Sequence, residues 1–302
     1  MISIIVCSTN AELLAKFKLN VAATIGITYE LLAYDNRLVC KGIAEVYNQI
    51  ASEAAYDILC FVHEDVIIHT NGWGEGIKKL LSNNGIGLVG ISGAVYKSKY
   101  PGTWSTCHSS LYRTHSIQHF KKSVQPVVTN VNPGNASHAV VAVIDGVFMA
   151  TRKDVFHQYS FDSNLLKGFH GYDIDYSMKV GQNYELVVTY GLLIEHLSEG
   201  ILNEMWLHDS LLVHEKWKNK LPLNSCNLSD REMHFNDYLS SRNILAVALH
   251  FQANKRIVLL YYFRLLFTMG KYNRFKFSKS VLKYLLFSTT SKPIAHANRG
   301  VC

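Results

Sequence analysis

Tyr56–Val66 reads YDILCFVHEDV, and the fold turns on this stretch. DILCFV (57–62) is apolar almost throughout, as a strand covered on both faces must be. It then breaks abruptly into His63-Glu64-Asp65. Upstream, ISIIVC (2–7) is a first strand, and Asn10 caps a helical pattern with Leu13, Leu14, Phe17 and Val21 on one face. YELLAY (29–34) is a second strand and GIAEVYNQIASEAA (42–55) a second helix. Downstream, GWGEGIKKLLS (72–82) reads as a helix and IGLVGIS (86–92) as a fourth strand. This β-α-β-α-β-α-β order predicts an α/β fold with a mostly parallel, doubly wound sheet and flanking helices.

The composition agrees. A chain of 302 residues with 48% hydrophobic and 18% charged residues buries a large core, so global disorder is excluded. With only 5 Pro and no Gly- or Ser-rich tract, fibrous and low-complexity classes are excluded too. Six scattered cysteines without C-x-x-C spacing argue against a disulfide scaffold and for a reducing compartment. Met1 leads directly into an apolar strand with no charged leader, so a cytoplasmic protein is expected.

The charge of +7 is uneven. Residues 226–302 hold 12 Lys+Arg and 3 Asp+Glu, which leaves 18 and 20 for residues 1–225. The basic character belongs to the tail. Two domains are therefore expected: a catalytic-sized α/β domain over 1–225 and a basic, aromatic-rich helical extension over 226–302. Within the first, residues 95–138 are polar, rich in His and Ser, and without periodicity, so they read as a long functional loop. AVVAVIDGVFMA (139–150) and YELVVTY (184–190) read as strands, while Tyr172–Val180 and Ile201–Trp217 read as helices.

In open α/β sheets ligands bind beyond the carboxyl ends of the strands. Those ends are Cys7-Ser8-Thr9-Asn10, Asp35-Asn36 and His63-Glu64-Asp65. No G-x-G-x-x-G follows the first strand and no G-x-x-x-x-G-K-[ST] occurs, which disfavours dinucleotide oxidoreductases and P-loop NTPases. The carboxylates of HED suit Mg²⁺ or Mn²⁺, hard cations that bridge protein oxygens to phosphates. An acidic surface strand end would look the same. Asp173, in GYDID (171–175), opens a helix, where the dipole alone favours an acid; it can also serve as a general base for a hydroxyl. His196, in Glu195-His196-Leu197-Ser198, is a further candidate metal ligand, although a lone His is more often structural. His115 and His119 share the i, i+4 spacing of helical zinc ligands, with no Cys-rich partner to support zinc.

Taken in order, ISIIVCSTN, YELLAYDN, YDILCFVHEDV, VIDGVFMATRKDVF, FHGYDIDYSMKV and LIEHLS resemble a family 2-type glycosyltransferase with the GT-A (nucleotide-diphospho-sugar transferase) fold. The resemblance covers about residues 1–220 and lies nearest the glycosyltransferase-like domain named for a streptomycin-biosynthesis protein. It implies hexosyl or related glycosyl transfer from a nucleotide-diphosphate sugar to a hydroxyl on a glycan or lipid-linked acceptor, in cell-surface polysaccharide or glycoconjugate synthesis. It further implies Asp65 and His196 as ligands of Mn²⁺ or Mg²⁺, and Glu64 near the nucleotide. Ser8, Thr9 and Asn10 match the first nucleotide-contacting loop, Asp35 the acid that meets the base or ribose, and Asp145 a segment lining the donor sugar. Asp173 matches the catalytic base of inverting enzymes. H-E-D departs from the family's D-x-D, and Tyr172 stands where a first acid is usual. The alternative is a catalytically silent nucleotide-sugar-binding module serving an assembly.

The tail interleaves Lys and Arg with aromatic residues. Packing of its helices on the body or on a second copy ranks first, and contact with a membrane surface next, at the inner face of the membrane. Nucleic acid is a distant third.

Overall fold

The computed structural model describes residues 1–121, 123–200, 202–268 and 275–287. Its first half runs β1 (Ile2–Ser8), α1 (Ala11–Thr24), β2 (Tyr29–Asp35), α2 (Ile43–Glu53), β3 (Ile58–Val62), β4 (Val66–Ile68), α3 (Trp73–Leu81), β5 (Ile86–Gly90), β6 (Ser92–Ala94) and β7 (Tyr96–Lys97). There follow β8 (Tyr112–Gln118), β9 (Val127–Val131), β10 (His138–Val141), β11 (Val143–Ile144), β12 (Phe148–Arg152), α4 (Lys153–Tyr159), α5 (Tyr172–Val180), β13 (Glu185–Thr189) and β14 (Ile194–His196). The last described elements are α6 (Glu204–Trp217), β15 (Leu223–Asn224), α7 (Asp230–His250), α8 (Lys255–Thr268) and α9 (Phe275–Phe287).

The main sheet has seven strands in the order β10-β13-β5-β12-β3-β1-β2. β12 runs antiparallel to both β3 and β5, and β10 antiparallel to β13; the other five strands point one way. The mostly parallel α/β sheet expected from the sequence is thus present. Ile2, Ile4, Ile5 and Val6 of β1 are all fully buried, because helices cover both faces. One apolar layer joins Ile5, Tyr47, Phe61, Phe161 and Tyr176; the other joins Ile4, Phe17, Val62, Trp73 and Phe148.

A second sheet, β11-β6-β8-β14-β4 with β9 on β8, is smaller and more polar. Here the sequence reading needs correcting. Residues 95–138 are not one long loop but carry β7, β8 and β9. The side chains on both faces of β8 meet polar partners: Thr114 bonds Ser92 at 2.6 Å, and the His115 ring bonds the Tyr190 carbonyl at 2.9 Å. A strand buried through hydrogen bonds shows no apolar alternation. His115 and His119 accordingly sit on or just past a strand, so their helical spacing is incidental.

The extension packs on the body. Asp237 of α7 accepts bonds from Tyr96 Oη (2.9 Å) and Ser98 Oγ (2.7 Å), and Asn236 accepts from the His108 amide at 2.7 Å. Ser229 and Glu232 close a reciprocal cap at the start of α7. Tyr100 and Trp206 of the body join Ile244, Leu245, Val258, Tyr261 and Leu265 in a third apolar cluster. Among the described residues, no helix is long and apolar enough to cross a membrane.

Candidate active site

Extended backbone sends alternate side chains to opposite sides, and this settles what the three residues after β3 do. Glu64 turns back toward β1. Its carboxylate accepts from Ser8 Oγ (2.6 Å), Thr9 N (2.7 Å), Thr9 Oγ1 (3.1 Å) and Asn10 N (2.9 Å). Ser8, Thr9 and Asn10 are thereby fixed as a rigid turn, while Asn10 Oδ1 caps α1 through the Glu12 and Leu13 amides. Asp35 lies beside Ser8 in the β1–β2 register. It is exposed and holds Arg37 in a two-pronged pair at 2.8 and 2.5 Å. That hydrogen bonding pulls its carboxyl down to about 2.

His63 and Asp65 turn the other way and meet His196. β4 and β14 pair antiparallel with His196 opposite Val66, and the Leu197 amide bonds the Asp65 carbonyl at 2.9 Å. Ligand atoms of His63, Asp65 and His196 all lie within 4.8 Å of one another. Asp65 Oδ2 is 3.4 Å from His196 Nε2, and Oδ1 is 3.9 Å from His63 Nδ1.

The surrounding bonds fix which ring nitrogens carry protons. Gln118 donates its amide to the carbonyls of His119 (2.8 Å) and Ser198 (2.6 Å), so its oxygen must face His196 Nδ1 at 3.1 Å and accept. In neutral His196 the Nε2 lone pair then points toward Asp65, and that buried nitrogen has no hydrogen-bond partner. Tyr172 Oη donates to the Gly146 carbonyl at 3.3 Å, so His63 Nε2 donates to Tyr172 Oη at 2.8 Å and leaves Nδ1 bare. Burial pushes the His63 pKa down, despite the Asp65 charge, and keeps its ring neutral. Burial also opposes charge on Asp65, but the His196 and His63 rings outweigh it and hold the carboxyl well below its usual range. Two imidazole nitrogens and one carboxylate oxygen thus converge, each a potential ligand atom. That set suits a divalent cation of the Mn²⁺ type, and the partners of each ring are the outer shell that such ligands need.

The cluster opens on a cavity of about 790 Å³ whose lining includes His63, Trp104, Asp145, Tyr172, Asp173 and His196. Asp145 accepts from Trp104 Nε1 and from the Val147 amide at 2.9 Å. Asp173 stands in the first turn of α5, entered through Gly171 at φ 75°. Burial, reinforced by the Asp145 charge, pushes its carboxyl up to about 7, against backbone hydrogen bonds from Ile174 and Gly146. Gly146 is required for this approach: a Cβ there would stand 2.3 Å from Tyr172 Oη. Asp175 points away and is fully buried, bonded to Trp217 Nε1 at 2.7 Å and paired with Lys216. Glu195 faces away from the cluster too, between His69 and His119 at 2.7 and 2.6 Å.

His63, His196, Asp145 and Asp173 therefore line one cavity, with Asp65 clustered against the two histidines, whereas Ser8, Thr9, Asn10, Glu64 and Asp35 lie together at the strand ends. The reading of the sequence gave His63 no role. The signal was the tripeptide itself, since H-x-D places His and Asp on one side as D-x-D does. Gln118 and Tyr172 carried no such signal, because their value lies in which ring they orient.

The sheet order and the cluster at its carboxyl edge define a GT-A-type α/β fold. The chain belongs to the glycosyltransferase-like family, whose pattern matches residues 3–220. Among solved structures, one of GalNAc-T7 with UDP, GalNAc and Mn²⁺ is similar at a TM-score of 0.51 and 12% identity, over 90% of this chain and 56% of that one. This chain thus spans little more than half of that protein. A mannosyltransferase, PcManGT from Pyrobaculum calidifontis, in complex with GDP-Man and Mn²⁺, is similar at a TM-score of 0.46 and 12% identity. That match covers 94% of this chain and 84% of the other. No curated protein sequence matches significantly.

Proposed function

We propose that this chain is a metal-dependent, inverting glycosyltransferase that moves a sugar from a nucleotide-diphosphate donor to an acceptor hydroxyl. The observation that carries the reading is the convergence of His63, Asp65 and His196, whose imidazoles line the cavity that Asp173 also lines. Those three residues would hold Mn²⁺ or Mg²⁺, and a cation there supplies the positive charge that a leaving diphosphate needs. The shelf of Ser8, Thr9 and Asn10, made rigid by Glu64, seats the nucleotide, and Asp35 at its edge meets base or ribose. Asp145, held by Trp104, lines the donor sugar.

Asp173 takes the proton of the acceptor hydroxyl. A carboxylate titrating near 7 is matched to that work at neutral pH, strong enough as a base yet still ionised in part. Attack from the Asp173 side, opposite the leaving diphosphate, inverts the anomeric carbon. Trp104 closes the donor pocket against water.

Residues 1–225 form the catalytic domain in this reading, and α7 of the 226–302 extension completes the cavity wall through Leu239, Arg242 and Asn243. Leu260, Phe263, Leu282 and Leu286 are exposed on α8 and α9 among basic residues, which suits contact with anionic lipid at the cytoplasmic membrane face. Such a location fits a lipid-linked acceptor in surface polysaccharide or glycoconjugate synthesis.

The test is turnover of a panel of nucleotide sugars by purified protein with Mn²⁺. At least one donor is transferred or hydrolysed, and Asp173→Asn abolishes this while nucleotide binding persists. Binding across the panel with no turnover would instead identify a silent nucleotide-sugar module.

A further inference from the structure

The cavity has a second, oppositely charged region that the reaction so far leaves unused. Lys97 of β7 lines it and is only 3% exposed. Its ammonium has three N–H donors, yet among the described residues its hydrogen bond is to the Tyr100 carbonyl at 3.0 Å, and no carboxylate lies within ion-pair distance. Asp237, the nearest acid of α7, is taken up by Tyr96, Ser98 and Lys99. The exposed Arg242 and the half-buried Asn243 line the same cavity from α7, and neither side chain has a hydrogen-bond or ion-pair partner among the described residues. His214 of α6 adds a buried Nδ1 that is also without a partner.

A buried ammonium without a counter-ion is disfavoured by the loss of its hydration. Such groups persist where a ligand brings the compensating charge. Asp173 lines the same cavity and its charge acts on Lys97. The ammonium thus lies in the cavity of the base that an acceptor hydroxyl must reach, within reach of its charge.

We infer that the acceptor carries an anionic group, a phosphate or a carboxylate, close to its reacting hydroxyl, and that Lys97 and Arg242 hold that group with Asn243 and His214 beside it. This rests on the reading of the cavity as a donor and acceptor site. An acceptor so held is anchored by charge at one end and delivers its hydroxyl to Asp173 at the other. An uncharged glycan gives Lys97 no counter-ion and binds more weakly.

The test uses the full chain in EDTA, so that the His63, Asp65 and His196 end recruits no phosphate through a cation. Phenyl phosphate, benzoate and benzyl alcohol are titrated while the fluorescence of Trp206, which lines the cavity, is followed. At least one anion is expected to bind about tenfold or more tightly than the alcohol, and the better anion identifies the class of group. Lys97→Met and the surface-exposed Arg242→Gln each weaken that anion about tenfold, the worth of one charge-assisted contact. Arg242→Gln guards against a folding defect in the buried Lys97 variant. Equal binding of all three probes, or anion binding that both variants retain, an adventitious ion only, overturns the inference. Binding of UDP and GDP with Mn²⁺ is measured on the same proteins. If wild type fails that measurement but shows the anion dependence, the donor reading falls and the anion site stands.

Discussion

Asp173→Asn is expected to remove catalysis and at the same time to stabilise the fold, by an amount that depends on pH in a defined direction. The Asp173 carboxyl is raised from an ordinary 3.8 to about 7, chiefly by burial and then by the Asp145 charge. Each pKa unit is worth about 1.36 kcal/mol, so the ionised native form carries a penalty of at most about 4 kcal/mol. The side chain opens on the cavity, where water screens part of this, and about 2–4 kcal/mol is the expected range. Below pH 3.8 native and unfolded chains both hold the proton, and the penalty vanishes. Between 3.8 and about 7 the unfolded chain releases its proton while the native one keeps it, so native stability falls as pH rises. Above about 7 the loss is complete. Asparagine keeps the size and an accepting oxygen for the Ile174 and Gly146 amides but has no proton to lose. Urea unfolding of both proteins at pH 5, 7 and 9 measures the effect. The variant's advantage should grow from pH 5 to 7 and then level off. A difference that is flat with pH, or a variant less stable at pH 9, would show that Asp173 is not held as a strained carboxyl and would remove the argument for its basicity.

Other outcomes follow from the same geometry. In wild type, kcat/KM rises with pH through a midpoint near pH 7 as Asp173 ionises, and a rate that is flat from pH 5.5 to 8 would exclude it as the base. Asp65→Asn and His196→Ala each raise the Mn²⁺ concentration needed for half-maximal activity by about 10-fold or more, read by metal titration, whereas Glu195→Gln, on the other side of β14, leaves that requirement unchanged. Glu64→Ala strips four hydrogen bonds from the Ser8–Asn10 turn and lowers stability by about 2–4 kcal/mol in urea, with weaker nucleotide binding in the folded fraction. Gly146→Ala drives a methyl into Tyr172 Oη, frees the His63 ring, and lowers kcat by about 100-fold with the far-ultraviolet circular dichroism unchanged.

Much of this was legible along the chain, because it depends on local order. Apolar runs ending in polar tips gave β1, β2 and β3, and a strand end must present its side chains at the sheet edge wherever the sheet sits. HED, GYDID and EHLS were visible as chemistry-bearing tips for the same reason. The alternation that marks apolar strands failed at β8, since Thr114, His115 and Gln118 are satisfied there by hydrogen bonds rather than by burial of apolar surface. AVVAVIDGVFMA read as one strand but serves two sheets through β10, β11 and β12, a division that no local pattern records.

What only the tertiary structure decided is which atoms meet and in which protonation state. Pairing of β4 with β14 carries His196 to Asp65 across 131 positions of sequence, and Gln118 from β8 then turns its lone pair inward. Tyr172 does the same for His63, and the packing of α7 on β7 places Arg242 in the cavity that Lys97 lines. Sequence fixes residue type and local periodicity, but the charge and direction of a titratable group depend on neighbours that only long-range strand pairing and helix packing supply.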